Sequence, residues 1–116
     1  MLKKQYRLKK KYQFNYTYKQ GQTQGTKNML IFYTKSRNKC IKIGLSVTKK
    51  IGNAVTRNRI KRLLRVAVSP FLLNLKNNYN LIIVARPNIV NLKLIQIEKE
   101  LGYLINKAGL IVEKDI

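Results

Sequence analysis

The sequence predicts an α+β fold, a single domain spanning residues 1–116 in which helices pack on a mixed sheet of about four strands, with a basic central helix following a strand. Three stretches carry the prediction. In residues 41–47, Ile41, Ile43, Leu45 and Val47 alternate with Lys42, Gly44 and Ser46, the period of a half-buried strand. From residue 54 the period changes to that of a helix: Thr56, Ile60, Leu63, Leu64 and Ala67 gather on one side and Arg57, Asn58, Lys61, Arg62 and Arg65 on the other. Residues 81–86 are an unbroken apolar run ending in Arg86 and read as a buried central strand.

The remaining elements follow in chain order. Residues 1–19 combine basic side chains with Tyr6, Tyr12, Phe14, Tyr16 and Tyr18. On a helix they form two pairs four apart, Tyr12 with Tyr16 and Phe14 with Tyr18, and either pair could serve only to pack on the sheet. Residues 21–28 are a polar turn region with a short strand around 23–25, and 29–34 form a strand with Leu30, Phe32 and Thr34 on one face and Met29, Ile31 and Tyr33 on the other. Residues 35–39 read as a hairpin connection, which predicts that the strands on either side pair antiparallel. Residues 48–53 form a loop and Asn53 caps the basic helix, its side-chain oxygen accepting from an amide two or three residues on. Ser69 and Pro70 stop that helix and open a short turn carrying Phe71, Leu72 and Leu75. Residues 76–80 are a loop, and Asn91 caps a last helix whose Leu94, Ile97, Leu101, Leu104, Ile105 and Ala108 make a core stripe. Gly109 ends it, and 110–116 are expected to fray.

Charge narrows the function. The 25 Lys and Arg against 4 Asp and Glu give +21, and the acids (Glu98, Glu100, Glu113, Asp115) all lie at the end of the chain. Only Lys99, Lys107 and Lys114 lie among them, so residues 1–97 carry 22 cations and no carboxylate. Such a body repels itself and favours a nucleic-acid partner. On the central helix, Arg57 with Lys61 and Lys61 with Arg65 are like charges four apart, each pair costing an isolated helix about 0.2–0.5 kcal/mol. A solvated structural face would interleave glutamates; the bare cationic face fits a polyanion.

The same composition removes catalytic classes. With no histidine the commonest general base is missing, and no pair of carboxylates lies near the basic face to hold a metal or move a proton. Residues 48–53 resemble a phosphate-binding turn at a helix N-terminus but lack Walker spacing. Cys40, alone, makes neither an internal disulfide nor a metal site and reads as a reduced strand-edge residue. The N-terminus has the charge of a signal peptide without its apolar run, and nothing approaches the roughly 18 apolar residues of a spanning helix, so a cytoplasmic protein without membrane contact is expected.

Arg57, Asn58 and Arg59, embedded in Lys-Lys-Ile-Gly-Asn-Ala-Val-Thr-Arg-Asn-Arg-Ile-Lys-Arg-Leu-Leu-Arg at 49–65, resemble the signature of the bacterial ribonuclease P protein component. The resemblance extends over nearly the whole chain, through the aromatic first helix, the strand before the motif, the later strand and the final helix. It implies the order αβββαβα around four strands, with a left-handed βαβ crossover that breaks a rule obeyed in about 98% of cases. It also implies a function: the accessory protein subunit of the endoribonuclease that removes the 5′ leader from precursor tRNA. The partners implied are the catalytic ribonuclease P RNA and the precursor tRNA 5′ leader, with no small-molecule substrate; magnesium, bound mainly by the RNA, performs the hydrolysis, and the protein lowers the magnesium requirement. On this resemblance Arg57, Asn58, Arg59, Lys61, Arg62, Arg65, Lys49 and Lys50 meet the catalytic RNA. Phe14, Tyr18 and Tyr33, with Ser46 and Thr48, form the leader-binding cleft. Tyr18 stands where the family often has Phe, Tyr12 and Tyr16 match no family position, and the acid content is lower than usual. A small basic ribosomal protein is the alternative that composition alone would favour, and a general nucleoid or RNA-annealing protein shares only the charge.

Overall fold

Seven regular elements appear in the computed structural model, which describes residues 3–112. They are α1 (Lys11–Gln20), β1 (Gln22–Gly25), β2 (Met29–Lys35), β3 (Lys42–Ser46), α2 (Ala54–Val68), β4 (Tyr79–Ala85) and α3 (Leu94–Lys107), joined in places by short 3-10 turns. The order is the expected αβββαβα. The sheet, however, runs β1-β2-β4-β3. β2 pairs with β1 and β4 antiparallel, and β3 pairs with β4 parallel.

The expected hairpin between β2 and β3 is therefore absent, because β4 lies between them. Its composition explains the insertion: Leu81, Ile82 and Ile83 are all fully buried, so this strand needs cover on both faces and neighbours on both sides. β3, with Lys42 and Gly44 on one of its faces, takes the outer place. A parallel neighbour requires a crossover, and α2 supplies it. The free edge of β3 is covered by the N-terminal segment, where Arg7 bridges Ile43 and the Leu8 amide donates to the Ile43 carbonyl at 2.9 Å.

The two sheet faces do different work. Met29, Ile31, Tyr33, Ile43, Leu81 and Ile83 join Ile60, Leu64, Ala67 and Val68 of α2 and Ile97, Leu101, Leu104 and Ile105 of α3 in the main core. Each such Leu or Ile contributes about 1.5–3 kcal/mol by leaving water. The opposite face presents the row Phe32, Ile82 and Gly44, in register across β2, β4 and β3. α1 crosses this second face, with Thr17 fully buried beneath it and donating its hydroxyl to the Gln13 carbonyl.

The helix ends show where local chemistry decided. Asn53 caps α2 as expected, its Oδ1 accepting from the Thr56 amide at 2.9 Å. Gly52 just before it has φ +152°, and a Cβ there would lie 3.3 Å from Thr56, so glycine sets the entry angle. Asn91 does not cap α3. Pro87 starts a 3-10 turn that Asn91 ends, and the helix begins three residues later at Leu94, the Lys93 amide before it donating to Gln96 Oε1 at 2.8 Å. Gly109, at φ +72°, closes α3 with paired bonds from the Gly109 and Leu110 amides to the Asn106 and Ile105 carbonyls.

The expectation of a frayed tail from residue 110 is corrected for residues 110–112. Leu110 is fully buried, Ile111 bridges Leu75, and the Val112 amide donates to the Asn74 carbonyl at 2.7 Å. The core end is apolar enough to hold Leu110. Residues 113–116 lie outside the described chain.

Candidate RNA interface

Position Gly44 explains why α1 lies where it does. A Cβ at this residue would sit 2.5 Å from two ring carbons of Phe14, so only a glycine lets that ring rest directly on β3. One helical turn on, Tyr18 is tilted against Phe14 with centroids 6.5 Å apart and meets Phe32 edge-on at 5.0 Å. Phe14 and Phe32 are half-buried and Tyr18 is 37% exposed, so the three rings form a supported platform with an open side. Ser46 lies on the same face of β3 as Gly44, two residues on, and Thr48 is exposed just beyond the strand.

The cationic helix adjoins this platform. Lys61 and Arg65 of α2 line one open hollow together with Phe14, Gly44, Arg7 and Lys9. Basic groups and an aromatic ring thus border the same depression. Arg57, Lys61 and Arg65 are half-buried along the flank of α2, while Asn58 and Arg62 are exposed. Arg59 is also exposed, but its guanidinium donates to the Val90 carbonyl at 3.0 Å, which holds it toward the turn preceding α3. Lys49 and Lys50 stand exposed on the 3-10 turn before α2.

One predicted residue falls elsewhere. Tyr33 does not share the platform of Phe14 and Tyr18: it is 5% exposed and belongs to the main core on the other side of the sheet. The reason is strand parity. Tyr18 packs on Phe32, and Tyr33, one residue on, must project to the opposite face. Phe32 is the strand aromatic of the platform, a residue that alternation already put on the Leu30 and Thr34 face. Arg7 and Lys9 were missed for a different reason: they sit on an irregular segment, and only its pairing with β3 brings them to the hollow.

Nothing in this arrangement resembles a hydrolytic centre. Among the described residues no three His, Cys, Asp or Glu side chains are grouped as a metal site would require. Cys40 is half-buried, its thiol donating to the Gln5 carbonyl. Glu100 is bound by the Thr26 hydroxyl and by Asn28 Nδ2 at 2.9 and 3.1 Å, fastening the β1–β2 turn to α3. What the surface offers is anion binding and stacking. No helix among the described residues is long and apolar enough to cross a membrane.

Comparison with known proteins shows the family. The family model for ribonuclease P matches residues 2–109. The ribonuclease P protein component of Oceanobacillus iheyensis is 42% identical over 111 residues, covering 95% of this chain and 92% of that protein. That of Brevibacillus brevis is 35% identical over 96% of this chain and 89% of its own length. Among solved structures, the Staphylococcus aureus RNase P protein superposes with a TM-score of 0.83 at 28% identity, over 91% of this chain and 97% of that one. The RNase P protein from Thermotoga maritima shares the fold, with a TM-score of 0.80 at 18% identity.

Proposed function

The chain belongs to the ribonuclease P protein family, and from that membership we propose how its two neighbouring surfaces serve the enzyme. It is the accessory protein subunit of the endoribonuclease, whose partners are the ribonuclease P RNA and precursor tRNA. In our reading α2 meets the catalytic RNA through Arg57, Asn58, Arg59, Lys61, Arg62 and Arg65, with Lys49 and Lys50 extending the contact. The unpaired 5′ leader lies on Phe14, Tyr18 and Phe32, with Ser46 and Thr48 at its side. Tyr33 supports the sheet from the core.

The observation that carries this division is the shared hollow in which Phe14 meets Lys61 and Arg65 across Gly44. Aromatic rings stack on bases of any sequence, each worth about 1–3 kcal/mol, which suits a leader that differs from one precursor to the next. The cations beside them neutralise phosphates and release counterions. In our reading hydrolysis falls to magnesium ions held by the RNA; the chain has no histidine, and among the described residues no acid cluster that could hold a metal. By replacing diffuse cations between two RNAs, the basic body lowers the magnesium concentration at which the complex works. The setting is the cytoplasm.

Reconstitution tests the reading. The purified protein alone is expected to leave precursor tRNA intact. Added to a bacterial ribonuclease P RNA, it is expected to permit cleavage at the mature 5′ end at a magnesium concentration where the RNA alone is inactive. Cleavage at that position by RNA-free protein would reverse the assignment of roles.

A further inference from the structure

α1 has a second aromatic flank that the leader cleft does not use. At about 100° per residue, the Tyr12 and Tyr16 pair lies about 160° around the helix from Phe14 and Tyr18. Tyr12 is 65% exposed and Tyr16 56%, the two most open rings on this helix. They border a hollow completed by Lys35 and Ser36 at the end of β2 and by Asn80 at the start of β4. Lys10 stands 5.9 Å from the Tyr12 ring centre, and Lys11 and Lys19 are exposed on the same helix.

We infer that this flank is a second stacking site for unpaired RNA, and that its occupant is the part of the 5′ leader upstream of the nucleotides held in the cleft. Three observations favour that occupant. Solvent-facing rings among lysines, in a body without a carboxylate before residue 98, suit a ligand that is both planar and anionic. Stacking on such rings needs bases free of a helix, and in this enzyme the leader is the substrate segment that the proposed function already treats as unpaired. Finally, both flanks belong to one helix only about 10–12 Å across, so a strand leaving Phe14 and Tyr18 reaches Tyr12 and Tyr16 by crossing α1 without leaving its lysines. The site rests on the leader-cleft reading for its source of RNA, but its residues are separate from that cleft.

The test uses the reconstituted holoenzyme and three ligands: a precursor tRNA with a long leader, one cut back to the few nucleotides next to the cleavage site, and mature tRNA. Replacing Tyr12→Ala or Tyr16→Ala is expected to weaken long-leader binding about five- to tenfold, the lower part of the range for one lost base stack. Short-leader and mature tRNA affinities are expected to stay as in the unaltered holoenzyme. The Tyr12→Phe and Tyr16→Phe variants keep the ring face and are expected to restore the long-leader affinity. Equal weakening for all three ligands, or weaker binding of the free catalytic RNA, would place these rings on the catalytic RNA and overturn the assignment. Unchanged long-leader binding would overturn it as well. The unaltered holoenzyme distinguishes this failure from failure of the cleft itself: if it does not prefer the short-leader precursor over mature tRNA, the cleft reading is the one that falls.

Discussion

Tyr33 and Phe32 are adjacent in sequence and lie on opposite faces of the sheet. Tyr33 is 5% exposed within the main core, so Tyr33→Ala leaves a cavity and is expected to cost about 3–5 kcal/mol of stability. The loss should show as a large drop in melting temperature, with precursor and mature tRNA affinities falling together wherever the variant is partly unfolded. Phe32→Ala removes the ring under Tyr18, so it is expected to reduce the preference for leader-bearing RNA as well as some stability. Gly44 gives a sharper case, since an added methyl would press on the Phe14 ring at 2.5 Å. Gly44→Ala is expected to displace that ring and lower leader affinity while leaving the affinity for catalytic RNA close to its original value; a titration with each RNA checks both halves. Parity along 29–34 was legible in the sequence. The face that would carry the platform was not, because that depends on which side α1 crosses.

Elements show the same division between local and long-range information. The α2 stripe and its Asn53 cap were readable because periodicity and capping act within a few residues. Strand order was not, since nothing local states that β4, fourth in sequence, lies between β2 and β3. The start of α3 was misplaced for an intermediate reason: Asn91 is a competent cap, but Pro87 already commits it to a 3-10 turn. For α2 the prediction is electrostatic. Arg57→Ala with Arg62→Ala is expected to weaken binding to the catalytic RNA and to flatten the log-affinity against log-salt line by about 0.7–0.9 per lost phosphate contact. Folding should persist, because Arg62 is exposed, Arg57 is only half-buried, and neither is among the buried residues of α2; an unchanged slope with an intact circular dichroism spectrum would remove these residues from the interface. At α3, Glu100→Ala strips the Thr26 and Asn28 side chains of a shared acceptor. It is expected to destabilise the protein by about 1–3 kcal/mol, read as a lower midpoint in urea.

At the scale of the molecule, the cations that make the protein a subunit also work against its fold. With 22 basic side chains and no carboxylate in residues 1–97, self-repulsion is offset by salt or by bound polyanion. The melting temperature of the free protein is therefore expected to rise with ionic strength, and to rise further when RNA binds the folded state. A fall in melting temperature with salt would mean that attractive ion pairs outweigh repulsion. The composition announced this property, as it announced a nucleic-acid partner; the convergence of Arg7 and Lys9 with Lys61 and Arg65 beside Phe14 needed the folded chain.

The central claim, that the α1 platform reads the leader while α2 engages the catalytic RNA, comes down to one comparison. The ratio of precursor to mature tRNA affinity is measured in the reconstituted holoenzyme carrying either the native Tyr18 or Tyr18→Ala, alongside the affinity of each free protein for the catalytic RNA. The arrangement predicts that the ratio falls about five- to tenfold, within the range for one lost base stack, while the affinity for catalytic RNA holds. An unaltered ratio, or an equal loss in both measurements, would contradict the separation of the two surfaces.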